Sequence, residues 1–108
     1  MRVFCADRVL ADNVKLADSF YKRFKGLMGK KTLENGEGVL LKTASIHCFF
    51  MRLPIDAVYI SQNMTVLGKE TLKPWRIGDW FGATKYVLEL REGAAASVSA
   101  GDPISFEY

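Results

Sequence analysis

Ile46-His47-Cys48-Phe49-Phe50-Met51-Arg52-Leu53-Pro54-Ile55-Asp56-Ala57-Val58-Tyr59-Ile60 is the longest nearly unbroken apolar run in the chain, and its reading decides the fold. Proline cannot donate to a backbone ladder and belongs at a strand start, a bulge or an edge, so Pro54 divides the run into two strands, about 46–52 and 55–61. Successive strand side chains point to opposite faces. Ile46, Cys48, Phe50 and Arg52 therefore share one face, and His47, Phe49, Met51 and Leu53 the other, while Asp56 lines up with Val58 and Ile60. Both faces are largely apolar, which makes these strands central and shields His47 and Asp56 from bulk water. A buried polar group left unpaired costs roughly 1–3 kcal/mol, so each of the two must be paired or serve a purpose.

Upstream of the run, residues 2–6 alternate as a first strand, residues 7–13 are turn formers, and Val14 to Leu16 form a second short strand. Asp18 is placed to cap a helix at about 19–28. On a helical wheel Phe20, Tyr21, Phe24, Leu27 and Met28 fill one core-facing arc, and Arg23 lies at its border, where its stem packs and its guanidinium reaches outward. Gly29 stops the helix. Asn35-Gly36-Glu37-Gly38 is a turn, and Val39 to Leu41 opens a strand behind it.

Downstream, Gln62-Asn63 makes a hairpin turn into a strand over 64–72, and 73–85 is a long loop holding Trp75, Trp80 and Phe81. Tyr86, Leu88 and Leu90 alternate with Val87, Glu89 and Arg91 as a half-buried strand, with Glu89 either facing solvent or anchoring the basic loop. Residues 94–100 suit one helical turn, and 104–108 a closing strand. Sequential strands joined by short turns imply antiparallel pairing. The expected fold is mostly β (α+β), a small antiparallel barrel or sandwich with one packed helix, in a single domain over residues 1–108.

With 49% hydrophobic and 25% charged residues, the composition is that of a globular protein and not of a disordered tail. No window approaches the 18 or so apolar residues that span a bilayer. Asp7 and Arg8 stand where a signal peptide needs an apolar core, which points to the cytoplasm and to Cys5 and Cys48 as reduced, buried thiols. The net charge of +3 is local: residues 1–31 carry Arg2, Arg8, Lys15, Lys22, Arg23, Lys25, Lys30 and Lys31 against Asp7, Asp12 and Asp18. That bias is weaker than nucleic-acid domains usually show and reads first as a solvated face. One histidine and two isolated cysteines give no ligand spacing for a metal, and no cofactor is implied.

Two groupings carry candidate chemistry. Arg23, His47 and Asp56 form a polar cluster if the central strands bring them to one recess; otherwise His47 is a hydrogen-bonded core residue and Asp56 holds the turn at Pro54. Trp75 and Trp80 offer flat apolar area with one donor each, suited to a ligand ring or a partner surface, or else to closing an open end of the fold.

The ordered blocks Arg23-Phe24-Lys25-Gly26-Leu27-Met28-Gly29, Gly36 to Leu41, Ile46-His47, Met51-Arg52-Leu53-Pro54-Ile55-Asp56, Leu72-Lys73-Pro74-Trp75-Arg76, Val87-Leu88-Glu89-Leu90 with Gly93, and Gly101-Asp102 resemble the prokaryotic family known as domain of unknown function 192. The resemblance runs over roughly residues 8–106. It implies a compact single domain and brings no established activity or cofactor. By position it points to Arg23, His47, Met51, Arg52, Asp56, Pro74 and Trp75 as a site. The chain departs from the commoner pattern at Asn63, where a hairpin glycine is usual, and at Cys48-Phe49-Phe50 between the histidine and the methionine.

Three functions fit these residues. A non-enzymatic module would hold a small anionic ligand or a peptide or protein partner with Arg23, His47, Arg52 and Asp56 and the tryptophan loop. A hydrolase or lyase would use His47 as a base oriented by Asp56, with Arg23 or Arg52 stabilising negative charge. A nucleic-acid binder would use the basic first third. The first needs the fewest coincidences.

Overall fold

A computed structural model describes residues 1–17, 34–42, 54–73 and 82–108. Among the described residues the chain forms eight strands: β1 (Arg2–Cys5), β2 (Arg8–Ala11), β3 (Asn13–Ala17), β4 (Glu37–Leu41), β5 (Ile55–Ser61), β6 (Val66–Leu72), β7 (Thr84–Arg91) and β8 (Ile104–Glu107). The helix expected at about 19–28 and the strand expected at 46–52 lie outside the described residues. The strands make two sheets and no closed barrel: a three-stranded sheet in the order β2-β1-β8 and a five-stranded sheet in the order β3-β4-β7-β5-β6.

Three expectations need correction. Residues 8–11, taken as part of a turn, form β2, because Ala6 adopts φ +56° and reverses the chain within two residues. The β3–β4 pair is parallel, from Asn13 opposite Glu37 to Ala17 opposite Leu41. Parallel neighbours need a long crossover and not a hairpin, and residues 18–36 supply one. The third correction concerns residues 94–100, which form successive tight turns and no helix. Ala94 N–H donates to Arg91 O, Ala96 N–H to Gly93 O and Val98 N–H to Ala95 O. The intervening Ala95 N–H is drawn off to the Asp56 carboxylate, so an i→i−4 ladder cannot start.

The five-stranded sheet buries both faces. Toward the small sheet, Leu40, Val58, Ile60, Val66, Leu88 and Leu90 join Val3, Cys5, Ala11 and Ile104 in one core. On the opposite face lie Val39, Leu41, Ile55, Ala57, Tyr59, Leu72 and Val87. β5 is buried along its whole length, as an apolar run with no clean alternation requires. A bulge between Tyr59 and Ile60 leaves Leu67 unpaired and turns Val66 inward.

Backbone bonds tie the sheets together at two corners. Met1 and Val14 exchange hydrogen bonds of 3.0 Å, and Thr65 bridges Pro103. Gly36 (φ +87°) lets the chain enter β4 against Asp12: its carbonyl accepts from Asp12 N–H and Asn13 N–H, and a side chain there would strike the Asp12 carboxylate.

Candidate functional site

Asp56 is the one member of the expected site that falls among the described residues; Arg23, His47, Met51, Arg52, Pro74, Trp75 and Trp80 lie outside them. It sits near the start of β5, on the face that meets the small sheet, and is 5% exposed. One carboxylate oxygen accepts from Thr71 Oγ1, its cross-strand neighbour, at 2.8 Å. The other accepts from Gly93 N–H and Ala95 N–H, each at 3.0 Å. Three donors on one buried carboxylate make it the anchor of the turn that follows β7. Gly93 supports this with φ +91°, a conformation that glycine adopts at no steric cost. From the other side Lys69 Nζ donates to Ala95 O at 2.7 Å and Ala96 O at 3.0 Å, so the turn's amides and carbonyls are both held by charged side chains.

The opposite face of the same sheet carries a second polar group of residues. Register sets Val39, Glu89, Ala57 and Glu70 side by side across β4, β7, β5 and β6. Tyr59, one row along, is fully buried, and its hydroxyl donates to Glu70 Oε2 at 2.5 Å. Glu89 is 4% exposed, and no described residue donates a hydrogen bond or ion pair to it. Loss of hydration disfavours its charged form, and burial alone pushes its carboxyl up to about 8. The acid is therefore mostly protonated at neutral pH and can donate as well as accept. Glu89 does not face solvent, the first of the two readings that the sequence allowed.

A third polar contact lies between the sheets. Cys5, 1% exposed, is a free thiol that donates to Asp102 Oδ2 at 3.5 Å. Burial and then the Asp102 carboxylate push the thiol up from its ordinary value, and the nearby Arg8 guanidinium only partly opposes them. A raised pKa and a closed site make it a core residue and not a nucleophile. No group of three or more His, Cys, Asp or Glu forms a metal centre among the described residues.

The segments that carry the remaining expected residues are fixed at both ends by strands of one sheet. β3, β4 and β5 run in one direction and β6 and β7 in the other. Residues 18–36, 42–54 and 73–83 thus each join strand ends at opposite ends of that sheet. β3 and β4 are neighbours in that sheet, whereas β7 lies between β4 and β5, and β5 lies between β6 and β7.

Comparison with known proteins agrees with the sequence blocks. The family DUF192, described as an uncharacterized ACR, matches residues 3–106. The chain belongs to this family. A UPF0127 protein of Pyrococcus horikoshii is 40% identical over 99 residues, which cover 86% of this chain and 86% of that protein. A UPF0127 protein of Thermococcus sibiricus is 34% identical over 107 residues, 93% of this chain and 70% of that one. Among solved structures, a protein of unknown function from Novosphingobium aromaticivorans superposes with a TM-score of 0.78 at 23% identity, over 86% of this chain and 74% of that chain. That likeness concerns the fold, and the DUF192 family brings no activity with it.

The Glu89–Ala57–Glu70 row was missed because the alternation along β7 was read with one wet face. The available signal was the partner strand. β5 is apolar on both faces and so is central, and β7, which has β4 and β5 as its neighbours, is covered with it.

Proposed function

We propose that this DUF192 protein is a non-enzymatic binding module for a small anionic ligand or a peptide or protein partner, held by Arg23, His47 and Arg52 with Met51, Pro74, Trp75 and Trp80. The observation that carries the reading is topological. The three chain segments bearing these residues are anchored at both ends on strands of one sheet that are adjacent or separated by a single strand, which limits how far apart they can stray. Rigid strands that tether the segments lower the ordering cost of binding.

The state of Asp56 favours binding over catalysis. A His47 base oriented by Asp56 would have to compete with Thr71, Gly93 and Ala95 for a carboxylate already bonded to all three. Nucleic acid is disfavoured in a similar way: Arg2 is ion-paired with Glu107, and Arg8 donates to Ser97. Among the described residues no helix is long and apolar enough to cross a membrane. A free thiol in the core suits a reducing compartment, so the reading assumes the cytoplasm.

The test is a thermal-shift and calorimetric titration with inorganic phosphate, citrate and a dipeptide bearing a free carboxylate. A true ligand at about 100 times its Kd stabilises by about 2.7 kcal/mol, a rise in Tm of order 10 °C for a domain of this size. The rise should vanish in Arg23→Ala while the unliganded Tm stays put. Equal losses of Tm and binding would make Arg23 structural. The absence of a saturable response to all three probes would refute the anionic-ligand reading.

A further inference from the structure

We infer that the chain carries a self-modification site at Asn35: the Gly36 backbone nitrogen closes on the Asn35 side-chain carbonyl, and the imide so formed opens to aspartate and isoaspartate. The two residues are the centre of the turn that leads into β4, closed by Glu37 N–H donating to Glu34 O at 3.0 Å. Gly36 takes φ +87°, and Asn35 is not among the residues of positive φ, which together make a type II turn. Glycine is fixed at this place twice over. Its φ suits no other residue well, and a Cβ would strike the Asp12 carboxylate. Asn35 is therefore followed by the one residue type with no side chain to shield its nitrogen.

Exposure and free backbone groups separate Asn35 from the other two asparagines of the chain. Asn35 is exposed, and among the described residues no group bonds to its carbonyl oxygen or to the Gly36 N–H. Its peptide plane is thus held only at the ends of the turn and can swing the nitrogen toward Cγ. Asn13 and Asn63 precede Val14 and Met64, whose N–H groups are committed to Met1 O and Ser61 O, each at 3.0 Å. In the reaction the bond from Gly36 N to Asn35 Cγ forms as the Asn35 Cγ–Nδ2 bond breaks, and ammonia leaves with the proton that Gly36 gives up. Water then opens the ring. Cleavage at Cγ gives aspartate, and cleavage at the main-chain carbonyl gives isoaspartate, whose backbone is one atom longer. Either product adds a negative charge beside Glu34, Glu37 and Asp12. The longer backbone also displaces Gly36 O from Asp12 N–H and Asn13 N–H, the bonds that hold the entry of β4 against the start of β3.

The test is incubation of the full chain below its unfolding temperature, with peptide mapping by mass spectrometry and isoaspartate counted by enzymatic methyl transfer from S-adenosylmethionine. Asn35 should convert at least about tenfold faster than Asn13 or Asn63. The rate should rise with pH, because the attacking nitrogen must lose its proton, and isoaspartate should appear alongside aspartate. Asn35→Gln should stay intact, since its ring would need a further atom, with the circular dichroism of the folded chain retained. In the purified isoaspartyl chain, amide exchange at Asp12 and Asn13 should be about tenfold faster than in Asn35→Asp, which adds the charge without the extra atom. The inference is overturned if Asn35 converts in urea but not in the folded chain, if the three asparagines convert at one rate, or if aspartate forms without isoaspartate. It is overturned equally by exchange at Asp12 and Asn13 that matches the Asn35→Asp variant.

Discussion

Replacing Glu89 by glutamine tests the energetics of the buried acid with almost no change of shape. The unfolded chain releases the Glu89 proton near 4.5, and the folded chain holds it until about 8. Between those values the native state binds more protons than the unfolded state, so stability falls as pH rises through the window. Below 4.5 both states are protonated and the group contributes nothing. At about 1.4 kcal/mol per pKa unit, the penalty is under about 1 kcal/mol at pH 5 and about 3 kcal/mol at pH 7. Against a total stability of about 5–15 kcal/mol this is a large fraction. Glutamine keeps the volume and is neutral at every pH, as the protonated acid is at pH 5. Urea unfolding of both proteins from pH 5 to pH 8 should therefore give nearly equal stabilities at pH 5. The variant should then pull ahead by about 3 kcal/mol at pH 7, or of order 10–20 °C in Tm. The difference between the two curves isolates residue 89 from every other titrating group. Parallel curves across the range, or a variant less stable at pH 8, would refute the claim that burial without a partner governs this carboxyl.

Other substitutions probe the remaining contacts. Asp56→Ala should cost about 3–5 kcal/mol in urea unfolding, since it strands the Gly93 and Ala95 amides and the Thr71 hydroxyl, and amide exchange should quicken first across residues 93–98. Tyr59→Phe keeps the ring and removes the donor to Glu70, for a loss of about 1–2 kcal/mol by the same measurement. Leu88→Ala, at a fully buried position between the sheets, should cost about 2–5 kcal/mol. Cys5 should react with a thiol reagent only through opening of the fold, so site-resolved mass spectrometry should show its labelling speeding up with urea and not with a modest rise in pH.

The contrast between Asp56 and Glu89 shows what was legible in the sequence and what was not. Strand periodicity and turn chemistry are local, so β1, β3 to β8 and the break at Gly93 could be read from residues a few positions apart. The parallel β3–β4 pair was not legible, because nothing within either strand encodes direction; that depends on the crossover between them. The same limit governs the two acids. Asp56 stood out because it interrupts a run that is apolar on both faces, yet its partners Thr71, Gly93 and Ala95 lie 15 to 39 residues away and cannot be inferred from its neighbours. Glu89 looked unremarkable because it occupies the polar phase of an alternating strand. Only the place of β7 between β4 and β5, in the middle of the sheet, turns that phase inward. Of the two, the residue that looked functional has every carboxylate bond satisfied by its own fold, and the residue that looked like surface has none among the described residues. A satisfied carboxylate stabilises the native state, whereas an unsatisfied buried acid persists against a standing penalty.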